Sequence, residues 1–398
     1  MPKPTDADLT RLYGASDRKR YDAMHDTSFS NPGPQNQALM RMNPNSNMPP
    51  PTDKGVIQPF WYSFDLTHRR VQEGGWTHQV TTRELPASTD MAGVNMRLTK
   101  GSIRELHWHL ADEWAIMLSG RARVTLFTGA GEMFIDDVGE GDLWLFPAGM
   151  PHSIQALGDE GCEFLLVFNQ GDFSEDSTLL ISDWLMRTPP EILMQNFNLD
   201  ADAIARLPKG EPLYIFPSDE PEKTLEEEIA QAAQFAKRPA MSYTFKASTM
   251  KPTRESDAGH VKIIDSRNFP ASEKIASAIV TVKPGCIREM HWHPNGNEWQ
   301  YWIKGKGRMT VFPGQESART MDFSANDVGF VANMAGHYLE NTGDEDMVFL
   351  EMFVAPEFQD ISLNQWLRAL PPQLVTAHTN LTPDDIDRIP SKGDPLLR

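Results

Sequence analysis

The sequence predicts an all-β protein with peripheral helices, built as two tandem copies of one domain. Three observations carry this. A long self-similarity recurs at a nearly constant spacing. Within each copy, short runs alternate apolar and polar residues and stop at Gly or Pro. The 398-residue chain holds 30 prolines and 27 glycines, a composition that favours turns over long helices.

The repeat is anchored by "GSIRELHWHLADEW" (101–114) and "GCIREMHWHPNGNEW" (285–299). Gly101 and Gly285, His107 and His291, and His109 and His293 are each 184 positions apart. "RELPAS" (83–88) and "RNFPAS" (267–272) keep that spacing. One extra residue before Glu298 moves it to 185, which then relates Gly120 to Gly305 and His152 to His337. A repeat this long marks a duplicated domain, since solenoid units repeat every ~20–50 residues.

"RARVTLFTG" and "GRMTVFPG" alternate and end at glycine, while "DLWLFPAGMPHSIQAL" and "CEFLLVFNQ" are apolar runs bounded by Gly and Pro. Many such strands at even spacing predict a sandwich or barrel. Helices are expected after each β region. "DSTLLISDWLMRTPPEILMQNF" and "SLNQWLRALPPQLVTAHTN" correspond, each broken by Pro-Pro, and "DADAIARLP" and "PDDIDRIP" follow as short capped helices. A polar segment with an acidic helix, 218–241, separates the copies. The expected organisation is an extended Pro/Asn/Ser-rich arm over 1–55, a first domain over 56–238 and a second over 239–398.

Net charge is −18 and the sequence pI about 5.0, which opposes nucleic acid and anionic membranes as partners. A small anionic substrate therefore needs local positive charge. Two cysteines, Cys162 and Cys286, cannot form a disulfide framework and are expected as buried hydrophobes. No signal-like or membrane-length apolar run occurs, so cytoplasmic residence is expected.

Alternate strand residues share a face, so His107 and His109 point one way and Trp108 the other. A turn through "LAD" brings Glu113 beside them, and His152 completes a set of three imidazoles and one carboxylate. The second copy supplies His291, His293, Glu298 and His337. Six of the eleven histidines fall in this duplicated pattern, which suits Mn, Fe or a similar divalent ion with open positions. Arg104 and Arg288 lie three residues before the first histidine of each set. An arginine fork beside a metal suits a small dicarboxylate. Glu351 stands in "FLEMF" where the first copy has Leu166, an acid in an apolar strand with the makings of an acid/base group.

These residues resemble the cupin pattern. The first copy reads Gly101, His107, His109, Glu113, Gly120, then Gly141, Asp142, Pro147, Gly149 and His152. The second departs at "NDVGFVANMAGH", where asparagine replaces the first glycine and Ala332-Asn333 stand at the proline, while a final glycine and His337 remain. The tandem arrangement is similar to the bicupins, and most of all to the manganese-dependent oxalate decarboxylases. The resemblance spans about residues 56–398 and implies two jelly-roll β-barrels with two Mn2+ per chain. It implies cleavage of oxalate to formate and CO2 with dioxygen as co-catalyst, in a homo-oligomer (trimer or hexamer).

The resemblance also maps a flexible lid onto Ser174-Glu175-Asp176-Ser177-Thr178, with Glu175 as proton donor and Asp176 where asparagine is usual. The first copy has three more residues between Phe173 and Trp184 than the second has between Phe358 and Trp366, so the lid is unique to it. A glutamate of the second cupin maps onto Glu351. Trp108 and Trp292 read as packing or interface residues, and the resemblance adds stacking with electron hopping between metals. Oxalate oxidase, which releases peroxide, and a non-enzymatic metal-binding bicupin are the competing readings.

Overall fold

A computed structural model describes residues 36–47, 49–391 and 393–398. The part of the expected arm before residue 36 lies outside the described residues. The chain divides into two compact units. One comprises Leu66–Met250 and Ile264–Ile275; the other takes the chain up to Asp65, Lys251–Ile263 and Ala276–Arg398.

The first unit is an antiparallel β-barrel. Its main path runs Arg70–Gln72, Gly75–Val80, Ala92–Leu98, His152–Phe168, Glu113–Phe127, Leu143–Phe146 and Thr244–Phe245. Ile103–Trp108 pairs with the start of His152–Phe168, placing His107 opposite His152. Glu113–Phe127 and His152–Phe168 are 15 and 17 residues long because each bends and serves both sides of the barrel. Their register slips at Gly120, whose φ is +76°. A Cβ there would sit 2.1 Å from the Gly161 carbonyl oxygen. Glycine is needed at this corner both for its backbone angle and for the close approach.

The core is a continuous apolar cluster that includes Val94, Met96, Phe134, Trp144, Phe164 and Phe168. In the second unit the corresponding strands separate around Gly305, as Glu298–Lys304 and Lys306–Gly314, and as Gly336–Asn341 and Met347–Phe353. They form two sheets, of seven and six strands.

Each barrel ends on a borrowed strand. Trp61–Ser63 pairs with Asp327–Val331 of the second unit, and Thr244–Phe245 pairs with Leu143–Phe146 of the first. An extra strand covers hydrogen-bonding groups that would otherwise form an open edge. The arm leading to Trp61 is fastened by side chains. Asn45 donates to Asp322 from its backbone and its amide, at 3.0 and 2.7 Å, and Asp53 accepts from Thr320 twice at 2.8 Å.

The expected helices are present as Ile181–Met186, Pro190–Phe197 and Ala201–Ile204, then Leu363–Ala369, Pro372–Thr379 and Pro383–Asp387. In each Pro-Pro pair the second proline opens a helix, where its missing N–H costs nothing. The acidic linker helix is Leu225–Ala232, closed by a Thr224–Glu227 capping box.

Two expectations follow. Gly120→Ala should destabilise the protein by about 2 kcal/mol or more, through positive φ and collision with backbone, read as a lowered thermal midpoint. Asp327 is buried and accepts from the Trp61 indole at 3.0 Å. Burial raises its carboxyl to about 6. Its folded value exceeds the unfolded ~3.9, so its stability contribution is full below about pH 4 and lost as pH rises through about 6, a change of about 3 kcal/mol. The stability of Asp327→Asn relative to the unchanged protein should therefore rise by that order between pH 4 and pH 7 in denaturant titrations.

Candidate metal centres

Each barrel gathers its four sequence-predicted ligands inside. His107, His109, Glu113 and His152 are buried and offer ligand atoms all within 4.8 Å of one another; so do His291, His293, Glu298 and His337. The strand Ile103–Trp108 delivers His107, the turn after it His109, and the next two long strands begin at Glu113 and His152.

Backbone carbonyls set the imidazoles. His107 Nδ1 meets Glu105 O at 2.6 Å, His109 Nδ1 meets Ala111 O at 2.8 Å, and His152 Nδ1 meets Met150 O at 2.7 Å. In the second barrel the carbonyls are those of Glu289, Gln359 and Ala335. A proton held on Nδ1 leaves the Nε2 lone pair facing inward, as a metal ligand requires. The Nε2 atoms of His152, His291, His293 and His337 are buried without a hydrogen-bond partner. Such orphaned acceptors are costly unless a cation satisfies them.

Electrostatics match. Burial, with help from Arg104, holds His107 well below the usual imidazole range, and burial lowers His152. Burial works to raise Glu113, but the adjoining His109 and His152 imidazoles prevail and hold it at about 2. In the second barrel, burial opposes charge on Glu298 and His337 and His293 overcome it, so Glu298 stays well below its ordinary value. Glu298 also raises His293 against burial. Buried imidazoles around a charged carboxylate form a site suited to a divalent ion.

The family scan matches the cupin model to residues 64–205 and 245–387. The chain belongs to the cupin family. It is 49% identical over 365 residues to the oxalate decarboxylase of Bacillus subtilis, covering 92% of this chain and 93% of that one. It is 36% identical over 382 residues to an oxalate decarboxylase of Arthroderma benhamiae, covering 90% and 88%. A solved structure of the Bacillus subtilis enzyme at pH 4.6 superposes with a TM-score of 0.88 at 49% identity, covering 92% of this chain and 94% of that chain. Another, described through its Mn(II) centres, gives 0.88 at 48%.

Around their shared ligands the two cupin sites differ in charge. Arg288 is fully buried and already paired: its Nε donates to Glu351 at 3.2 Å and its Nη2 to Asp360 at 2.9 Å. Arg104 is equally buried but makes no ion pair among the described residues; it donates to the Tyr214 carbonyl at 3.4 Å and lies 4.0 Å over the Tyr214 ring. Glu351 thus sits against Arg288, and burial raises its carboxyl although the guanidinium opposes this.

The lid residues include a short turn, Glu175–Ser177. Leu180 lies opposite His107, and Ser362 opposite His291. From the preceding phenylalanines those are seven steps (173 to 180) and four (358 to 362), so the three extra residues fall in the lid. Glu175 stands two residues after Phe173, as Asp360 stands two after Phe358. Asp360 grips Arg288, whereas Glu175 Oε1 accepts from the Thr77 hydroxyl at 2.9 Å and from the Tyr214 hydroxyl. Enclosure of this carboxyl raises it, against Tyr214, Arg104 and Thr77.

Thr77 and Tyr214 escaped the sequence reading. Tyr214 precedes Ile215, which pairs with Arg104, while Pro395 precedes Leu396, which pairs with Arg288; only the first copy has the phenol. Tyr214 is held at φ +53°, and its N–H donates to Glu105. A bulky residue at positive φ is a signal of constraint, visible only in the fold.

One motif assignment is corrected. The glycine kept at 336 is not the counterpart of Gly149. Gly149 N donates to His109 O at 2.8 Å, and Met334 N donates to His293 O at 3.1 Å. Met334 takes that turn at φ +64°, and Asn326 takes the Gly141 turn at +72°, so the second copy keeps both backbone turns without glycine.

Trp108 and Trp292 stand outward, each edge-on to a helix tryptophan, Trp184 and Trp366, at 5.7 Å. Trp144 is fully buried with its indole N–H 3.4 Å from Glu113.

Replacing His107 or His291 by Ala should each remove about one metal equivalent of two, leaving the other barrel loaded. Elemental analysis of the purified variants reads this directly.

Proposed function

We propose that the protein is an oxalate decarboxylase, a carboxy-lyase that converts hydrogen oxalate to formate and CO2, with chemistry at the first barrel. The carrying observation is the contrast between the two arginines. Arg288 is already neutralised by Glu351 and Asp360, whereas Arg104 keeps its charge for an anion inside a buried, ligand-lined site. Two carboxylates on Arg288 offset the charge an anion would seek, although its Nη1 has no hydrogen-bond partner among the described residues. Glu351, Arg288 and the second metal set are accordingly assigned a supporting role.

A manganese ion held by His107, His109, Glu113 and His152 would supply a redox-capable Lewis acid for one end of oxalate. Arg104 binds the other carboxylate and stabilises the charge that develops there. Glu175 takes the substrate's carboxylic proton. The C–C bond breaks, CO2 leaves, and Glu175 returns the proton to the carbon of the remaining fragment, giving formate. Atoms and charge balance without net oxidation, and dioxygen serves as co-catalyst only. Thr77 and Tyr214 orient the Glu175 carboxyl, and its enclosure favours the protonated form needed for delivery to carbon.

The two manganese ions per chain rest on the paired ligand sets. A homo-oligomer, trimeric or hexameric, would cover the exposed Trp184, Phe197 and Trp366 on the outer helices and Leu199 just after one of them. Cys162 and Cys286 are unpaired and buried, and burial pushes the Cys162 thiol up to about 12; free thiols without a disulfide are the usual pattern of a cytoplasmic protein. Among the described residues no helix is long and apolar enough to cross a membrane.

Oxalate given to the manganese-loaded protein should yield formate and CO2 in equal amounts with little peroxide. Glu175→Gln should lower formate by about 100-fold or more while two metal equivalents remain bound. Peroxide as the main product of the unchanged protein would make it an oxidase instead, and no turnover at all would make it a binding protein.

A further inference from the structure

On the outer side of Glu175 lies a polar cavity of about 340 Å³. Its wall includes Arg70, Arg83, His68, His78, Thr77 and Glu175. The wall sets two guanidiniums, Arg70 and Arg83, beside three carboxylates, Glu84, Glu175 and Asp176, so an anion is held here by contact with a guanidinium and not by net charge. Each acid already has partners. The Glu84 carboxylate is occupied by the Thr81 N–H and hydroxyl, at 2.9 and 3.0 Å. Asp176 is largely exposed and reaches Arg70 only at 3.7 Å. Glu175 is capped by Thr77 and Tyr214.

Arg70 links this cavity to the metal site through one side chain. Its Cζ lies 3.8 Å over the Tyr214 ring, and the Arg104 Cζ lies 4.0 Å over the same ring. Two cations therefore share one phenol, one belonging to the cavity and one to the buried site. We propose that the cavity is a staging site for a small dicarboxylate, in which Arg70 grips one carboxylate of hydrogen oxalate before it passes Tyr214 and Glu175 to reach Arg104. Asp176 competes for Arg70 until the substrate carboxylate displaces it. This rests on the oxalate reading for the identity of the anion. A guanidinium fork holds a carboxylate through two parallel hydrogen bonds, which offsets repulsion from the neighbouring acids.

Arg70→Gln should raise KM for oxalate about ten-fold through lost uniform binding, with kcat changed less than about two-fold. Arg70→Lys should restore most of KM. Asp176→Asn should lower KM, because it removes the competitor. If Arg70→Gln lowers kcat at unchanged KM, or Asp176→Asn raises KM as Arg70→Gln does, the pair is a tether for the lid and the proposal is overturned. A binding measurement separates this from the activity itself. In the metal-loaded Arg104→Gln protein, calorimetric titration with oxalate should retain a weak event that adding Arg70→Gln abolishes. No such event overturns the staging site even where the unchanged protein makes formate.

Discussion

The organising constraint of this molecule is the burial of three imidazoles and a carboxylate at one point inside each barrel. Such a cluster is costly in a low-dielectric interior unless a cation compensates it. The rest of the fold serves its geometry. The long strands bend at glycine, so that Glu113 and His152, at opposite ends of their shared ladder, reach one site, and carbonyls beside each histidine hold the ring proton outward. Apolar rings close the walls: Phe146 stacks on His152 at 4.3 Å, and Phe168 meets His109 edge-on at 5.2 Å.

Once both barrels have the same ligands, selectivity between them is a matter of neighbouring charge. Asp360 and Glu175 follow equivalent phenylalanines, but the first is drawn onto an arginine and the second onto two hydroxyl donors. Three extra residues and one tyrosine in place of proline suffice. The same metal cage thereby surrounds a closed ionic network in one copy and an unpaired guanidinium in the other.

Much of this was legible from the sequence because its signals are local or repeated. HxH brings two imidazoles to one side by alternation, although the strand ends at Trp108 and His109 follows it, and the duplicated spacing added Glu113 and His152 before any fold was known. The Pro-Pro breaks and capping residues marked the outer helices for equally local reasons. The missed features are long-range. Tyr214 is over a hundred positions from Arg104 and meets it only through the pairing of Ile215. Thr77 reaches Glu175 across 98 positions. The misplaced glycine at 336 shows the limit of letters: backbone sign is what the turn requires, and Met334 supplies it without the expected residue.

The interleaved make-up of the two compact units has a consequence for synthesis. The first barrel includes Thr244–Phe245 and residues 264–275, so it cannot be completed on the ribosome until translation is well into the second repeat. The strand Trp61–Ser63 emerges early and waits for Asp327–Val331. Nascent chains therefore carry an unmatched β-edge for more than 260 residues of elongation, roughly 13–50 s at ordinary rates. Shielding that edge during translation is a demand the duplicated architecture places on the cell.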